Sequence, residues 1–416
     1  MGAMKQALLV LALLFPTFLS AQSTLPFFCI TDNNIDIHPT VPLDCRRWHD
    51  SYPTAWQNAN PSHGVYKFEP LDSNLAYDKS MGIEQEIFTL SGTPTWASSK
   101  PTDLTCSYAA GVCDPPNDVN ADGSGTDQHW KDWVTAIASH TLNVSYLESH
   151  AHITIWEIWN EVDVPLFWTG TMAQLQRMTM DARIIIKGFD SNALIGTPST
   201  HPYTKGEIAT LNAYLYGPNG SARNVDVIIE HCKPGLIYPT TIEAAMTSYM
   251  ASVRAILQPA ELAKPLIIDE GGYAPPGQFN PPYTSNDMAA SAVARLFIMS
   301  WSLNVKSFTW YTWDDLKGYQ TAVVAWSVLY SWIHGATLTA PCSAVGTVWR
   351  CNYTQANARY QLIWDTSKAC TATACPSSPQ GVVAFKKYST IDGAAPVTIT
   401  NGSVPVGIKP ARLSLH

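Results

Sequence analysis

Short apolar or β-branched runs that alternate with amphipathic helical patterns predict an α/β chain, a (β/α)8 TIM barrel with a small C-terminal β-sheet or β-sandwich appendage. Two observations carry that expectation. Six strand runs and two clear helical stripes occupy the middle of the 416 residues, and after about residue 340 the pattern changes to short strands between polar turns. The length suits one barrel of about 250 to 300 residues plus an appendage.

The elements follow in order. Residues 1–21 read as an export signal: Lys5 supplies positive charge, Ala7 to Phe15 form an apolar core, and Ser20-Ala21 offers a small-residue cleavage site. The barrel is expected over 22–339. Its clear strands are Glu86 to Leu90, His152 to Ile158, Ala193 to Thr197, Val225 to His231, Pro265 to Asp269 and Lys306 to Tyr311. Two more, one within Pro26 to Ile37 and one near Cys45 to Asp50, bring the count to eight. Met172, Leu175, Met178, Ala182, Ile185 and Ile186 recur at helical spacing, as do Met246, Tyr249, Met250, Val253, Ile256 and Leu257, so each set forms one buried stripe. A helix ending near His334 closes the barrel. The appendage, 340–416, takes strands from Cys342 to Cys351, Arg359 to Trp364, Gly381 to Tyr388 and Val397 to Thr400, and its first strand is expected from the N-terminal stretch.

Composition excludes several functions. Lys and Arg number 25 against 33 Asp and Glu, and charged residues make up only 14%, so no basic stripe exists to neutralise phosphates and nucleic acid is not a partner. Beyond the signal, no stretch reaches the roughly 18 to 20 uninterrupted apolar residues of a membrane span. Of nine cysteines, six fall in close pairs that short loops can bridge: Cys106 with Cys113, Cys342 with Cys351, and Cys370 with Cys375. Cys29 and Cys45 are available for a fourth bridge, which leaves Cys232 as a buried thiol. No Cys pair has zinc spacing, and no metal site is expected. Asp118-x-Asn120-x-Asp122-Gly123 resembles the opening of a calcium loop, but His129 stands where the closing Glu belongs, so a polar turn before a helix near Asp127 is expected. Asn143, Asn219, Asn352 and Asn401 begin glycosylation sequons.

In such a barrel the C-terminal strand ends carry the site. Two carboxylates occupy these positions: Glu161, after the strand ending Trp159-Asn160-Glu161, and Glu270, in Ile268-Asp269-Glu270-Gly271. They follow the fourth and seventh strands, which face each other across the barrel mouth. A pair of this kind can cleave a glycosidic bond, one carboxyl protonating the leaving oxygen while the other attacks the anomeric carbon or activates water. Like charge and partial burial favour a proton on one of them. The amide of Asn160 suits a sugar hydroxyl beside the reacting carbon.

These residues carry a resemblance. Trp159-Asn160-Glu161 after a strand, with Glu270 ending another 109 positions later, resembles the clan A retaining glycoside hydrolases. Arg47-Trp48-His49-Asp50, the stretch Gly64 to Asp72, Thr93 to Ser98, and Phe308-Thr309-Trp310-Tyr311-Thr312-Trp313-Asp314 are most similar to family 39-like members. The resemblance covers about Phe27 to the C-terminus. It implies a retaining mechanism with Glu161 as acid/base and Glu270 as nucleophile, and no metal or organic cofactor. It further implies that Arg47 supports the nucleophile, that Asn160 contacts the sugar 2-hydroxyl, and that His231 lines the subsite. Where family members often carry an aromatic residue two places after that His and a Pro after the acid, this chain has Lys233 and Val162, which bears on sugar specificity.

Sugars also stack on flat rings, and among 15 tryptophans the strand-end residues Trp96, Trp310 and Trp313 are the stacking candidates. Asp50 and His49 either line the pocket or make loop hydrogen bonds. The loop Cys106 to Asp127 is expected to rim the pocket. The combined expectation is a secreted or periplasmic retaining glycosidase acting on a plant or microbial polysaccharide or its oligosaccharides. The alternatives are a catalytically silent carbohydrate-binding barrel and a transglycosylase using the same two carboxylates.

Overall fold

A computed structural model describes residues 25–49, 52–201, 206–234, 241–272, 285–371 and 374–416. The expected export signal and Asp50 lie outside them. Eight parallel strands form one sheet: β1 (Phe28–Thr31), β2 (Cys45–Trp48), β3 (Gln85–Leu90), β4 (His152–Ile158), β5 (Leu194–Gly196), β6 (Ile228–Cys232), β7 (Leu266–Gly271) and β8 (Phe308–Tyr311). Their order is β5-β4-β3-β2-β1-β8-β7-β6. A parallel bridge between Gly196 and Val227 joins the free edges, with Thr197 N donating to Val227 O, and closes the barrel. The run expected to begin a strand at Val225 supplies this bridge first and enters β6 only at Ile228.

Side-chain alternation along the strands builds two separate cores. Facing inward, Cys29, Cys45, Ile87, Ile155, Val227, Ile229 and Ile267 pack as one apolar layer. Facing outward, Phe28, Ile30, Phe88, Trp156, Ile268 and Phe308 meet the surrounding helices in the main core. Arg46 and Arg47 show the alternation within two residues: Arg46 reaches outward to Asp32 and Asp78, while Arg47 reaches into the barrel. Cys29 and Cys45 are register partners on β1 and β2 and are joined by a disulfide inside the barrel.

The helices begin where side chains satisfy their free N–H groups. Thr171 and Gln174 form a reciprocal capping box for Met172–Phe189, Thr241 caps Ile242–Ile256, and Ser285 caps Asn286–Ser302. Leu175, Met178, Ala182 and Ile186 of the first, and Met246, Met250 and Val253 of the second, are buried as the periodicity predicts.

After the helix Gln320–Ile333 the chain forms antiparallel strands: β9 (Thr337–Leu338), β10 (Ser343–Val345), β11 (Val348–Gln355), β12 (Ala358–Asp365), β13 (Ser377–Gly381), β14 (Lys387–Thr390), β15 (Val397–Thr398), β16 (Ser403–Gly407) and β17 (Ala411–Ser414). The main sheet runs β10-β11-β12-β17-β14-β15, with β9 also on β11, and β13 pairs with β16. All nine strands come from the C-terminal stretch. The strand expected within Pro26 to Ile37 is β1 of the barrel, held between β2 and β8, and among the described residues no N-terminal strand joins this sheet. This sheet packs on the barrel helices through shared core residues: Trp364 Nε1 donates to Glu243, which also pairs with Arg295.

The three close cysteine pairs and Cys29–Cys45 are all disulfides, and Cys232 is a buried cysteine outside any disulfide. Asp118 accepts from the backbone N–H of Gln128 and His129 at the start of helix Gln128–Thr141, and Asp122 accepts from Ser124, so the calcium-like stretch is spent on a turn and a helix start. Among the described residues no helix is long and apolar enough to cross a membrane.

Candidate active site

The apolar inner layer gives way to a charged one a single step of two residues further along the same strands. Cys45 is followed by Arg47, Ile155 by Glu157, Ile229 by His231 and Ile267 by Asp269. At the centre lies the fully buried Arg47 guanidinium. Its Nη2 donates to Glu157 at 2.7 Å and to Asn160 Oδ1 at 2.9 Å, its Nη1 to Glu270 at 3.1 Å, and its Nε pairs with Asp269 at 3.0 Å. Thr89 Oγ1 donates to Glu157 as well.

Asp269 and Glu270 are neighbours in sequence, and a regular strand would send them to opposite faces. Register shifts on both sides of this stretch, between Glu230 and His231 against β6 and between Ile268 and Gly271 against β8, break the pleat so that both carboxyls reach Arg47. On the opposite side, Trp159 (φ 76°) and Glu161 (φ 41°) both adopt the left-handed region that non-glycine residues avoid. Ser199, after β5, pins this strained turn: its Oγ accepts from Glu161 N at 3.1 Å and its carbonyl from Val162 N at 3.2 Å.

The two candidate carboxylates meet over His231. Its Nδ1 is 2.8 Å from Glu161 Oε1, and its Nε2 is 3.5 Å from Asp269 and 3.8 Å from Glu270. One carboxylate oxygen of Glu161, one of Glu270 and a His231 nitrogen all lie within 4.8 Å of one another. Such a cluster has the donor types of a cation site, yet Arg47 and Lys233 already pair with its carboxylates. A separate cluster, Asp103, Cys106, Cys113 and Asp114, has its two sulfurs in a disulfide and offers no thiolate.

Charge within the polar layer is sorted by environment. Burial alone would raise the Glu157 carboxyl, but Arg47, His231 and a hydrogen bond from Asp269 outweigh it and hold it at about 2. Asp269 goes the other way: burial pushes it well above the usual carboxylate range, and the neighbouring Glu157 and Glu270 charges add to what Arg47 only partly offsets. Protonation is therefore favoured on Asp269 over Glu157.

Lys233, just past the end of β6, completes the site. Its ammonium contacts Glu270 Oε1, lies 4.0 Å from Glu161 Oε1, and sits 4.9 Å above the Tyr311 ring. The sequence marked Lys233 only as a departure from a family pattern, and Glu157 and Asp269 not at all as site residues.

Of the expected site residues, Glu161, Glu270, Asn160, Arg47 and His231 converge. The stacking candidates do not join them. Trp310 and Trp313 are 1% and 3% exposed in the main core. Phe308 and Trp310 share the outward face of β8, where Phe308 packs on Phe297; the alternation turns Tyr311 inward instead, under Lys233. Trp96 is half-buried and its Nε1 donates to Asn60 O at 2.9 Å. His49 does line a pocket of about 150 Å³ beside Asn160. The disulfide-closed loop supplies Tyr108, Ala109, Val112 and Cys113 to its wall, opposite Phe167 from the loop after Glu161.

No protein-family model and no curated protein matches the chain. Solved structures do match its fold. A monomeric β-xylosidase from Caulobacter crescentus superposes with a TM-score of 0.59 at 13% identity, over 89% of each chain. A glycoside hydrolase family 30 subfamily 8 xylanase from Clostridium acetobutylicum gives 0.57 at 12% identity, over 93% of this chain and 94% of that one. A family 44 xyloglucanase from Paenibacillus polymyxa gives 0.57 at 11%, over 93% and 96%. The chain thus has the TIM-barrel-plus-β-sheet architecture found in these glycoside hydrolases.

Proposed function

We propose that this chain is a retaining glycoside hydrolase, with Glu161 as general acid/base and Glu270 as nucleophile. The observation that carries the reading is the approach of the two carboxylates, an oxygen of each within 4.8 Å at the mouth of the barrel. Retaining enzymes place their carboxyl groups about 5 to 5.5 Å apart, while inverting enzymes need roughly 6.5 to 9.5 Å to admit a water. The environments support these roles. Glu270 lies against two cations, Arg47 and Lys233, as an ionised nucleophile requires. Glu161 faces His231 and sits farther from Lys233, as a group that must first hold and then give up a proton requires.

In the first step a Glu270 oxygen bonds to the anomeric carbon as the glycosidic bond breaks, and the Glu161 proton goes to the leaving oxygen. In the second, water attacks that carbon, its proton goes to Glu161, and Glu270 is released as carboxylate. Asn160, held by Arg47, is placed to receive the sugar hydroxyl next to the reacting carbon. The solved neighbours are named as a xylosidase, a xylanase and a xyloglucanase, so xylose-containing glycans head the substrate panel. The export signal expected from the sequence and four disulfides support action outside the cytoplasm.

The test is turnover of aryl glycosides and polysaccharides by the mature protein, with Glu161→Gln and Glu270→Gln as controls. Loss of turnover in both, with a 2-fluoro glycoside trapped on Glu270 in the wild type, is the expected outcome. Glycan binding by the wild type with neither turnover nor trapping would make the protein a silent binder and end the hydrolase reading.

A further inference from the structure

The retaining mechanism moves a negative charge. Before reaction Glu270 is the carboxylate and Glu161 holds the proton; in the glycosyl-enzyme Glu270 is an uncharged ester and Glu161 is the carboxylate. A buried site that balances only the first state is left with an unpaired cation and an unpaired anion in the second, and both are costly.

We propose that Lys233 is a shared counterion for the two carboxylates, a positioning residue whose ammonium serves whichever of Glu270 and Glu161 carries the charge. The inference rests on the retaining reading above. Its basis is geometric. The Lys233 ammonium contacts Glu270 Oε1 and is 4.0 Å from Glu161 Oε1, so a small swing of the side chain exchanges one partner for the other. Its side chain is 22% exposed, the least buried of the charged groups around the pair among the described residues, and a lysine ammonium on a flexible stem can make that swing where a fixed guanidinium cannot. The Tyr311 face beneath it supports the cation in either position.

The charges around the pair add to the same conclusion. β2 contributes Arg47, with His49 just beyond its end; β4 contributes Glu157, with Glu161 after it; β6 contributes His231, with Lys233 after it; β7 contributes Asp269 and Glu270; and β8 contributes Tyr311. Arg47 is fully buried and contacts Glu157, Asp269 and Glu270, and its nearest contact is to Glu157. Arg47 is fixed among Glu157, Asp269 and Glu270, and His231 sits between Glu161 and the β7 carboxyls, so among the described residues Lys233 is the cation on a flexible stem that reaches both Glu270 and Glu161. That pair has one negative charge in both states, so one mobile cation can accompany that charge throughout.

The test is a 13C NMR titration of Glu-labelled protein in the wild type, Lys233→Met and Lys233→Arg, with resonances assigned through Glu161→Gln and Glu270→Gln. Removing the cation disfavours both carboxylate forms, so in Lys233→Met the midpoints of both glutamates rise, by about one pH unit each, while Lys233→Arg stays near the wild type. Both limbs of the kcat/KM profile then move to higher pH. Turnover of a substrate with a very good leaving group, limited by the second step, also falls in Lys233→Met. Midpoints in folded Lys233→Met within about a third of a pH unit of the wild type overturn the proposal, as does a shift confined to Glu270. Where Lys233→Met does not fold, Lys233→Gln gives the same decision. Failure of the hydrolase reading shows separately, as a wild type that neither turns over nor traps a glycoside, and the NMR midpoints still decide the role of Lys233.

Discussion

The two inner layers of the barrel are built on the same strands, two residues apart, and they obey different rules. In the lower layer Ile155, Ile229 and Ile267 surround the Cys29–Cys45 disulfide. One step up, Glu157, His231 and Asp269 surround Arg47. The lower layer is stabilised by removing apolar surface from water, which needs only shape and volume. The upper layer gains little in stability from burying charge, because desolvation consumes much of what pairing returns. It exists at the height where the strands open to solvent and hold Asn160, Glu161 and Glu270. A polar layer at that height fits the chemistry proposed for it.

The comparison breaks most visibly at its centre. Arg47→Met removes the cation shared by Glu157, Asp269 and Glu270, and unpaired buried carboxylates of this kind cost about 3 to 5 kcal/mol. Urea unfolding is expected to show that loss together with the disappearance of turnover. In the lower layer Ile155→Ala leaves a cavity and is expected to cost about 3 kcal/mol, a loss of similar size. Its turnover per folded molecule stays close to the wild type. An Ile155→Ala variant that keeps its stability but loses activity would show that the lower layer positions the site, and the separation of the two layers would fail.

How much of this was legible follows from the same distinction. The strands, the helical stripes and three disulfides were readable because period-two and period-3.6 patterns and short cysteine loops are local signals. The polar layer was present in the sequence as well, in the step from Ile155 to Glu157 within His152-Ile-Thr-Ile-Trp-Glu-Ile158, but a lone Glu in an apolar strand does not announce what it faces. Asp269 was hidden for another reason: Glu270 beside it took the inward-facing role, and only the register shifts of β7 let both face in. Trp310 misled because it stands at a strand end, while the face it takes was set by Phe308 two residues earlier. Lys233 could be seen as unusual but not as paired, since its partners, Glu161 after β4 and Glu270 on β7, lie far away in the chain.

The finest division lies within the polar layer, between two carboxyls on one guanidinium, and pH resolves it. Glu157 is held at about 2 against an ordinary value of 4.5, so its contribution to stability is present above about pH 4.5 and is lost as the pH falls toward 2. Asp269 is raised, so its contribution is fully present below its ordinary value of 3.8 and declines as the pH climbs above it. Glu157→Gln therefore loses an ionised partner of Arg47 and is expected to be destabilised at pH 7, on the order of 1 to 3 kcal/mol, with the deficit shrinking below pH 4. Asp269→Asn keeps a neutral group that still accepts from Arg47 and donates to Glu157, and is expected to change by less than about 1 kcal/mol at pH 7. Unfolding of both variants and the wild type across pH 3 to 8 reads the difference directly. If Asp269→Asn proves the more damaging of the two at pH 7, the proton sits on Glu157, and Asp269 is the ionised partner that Arg47 holds.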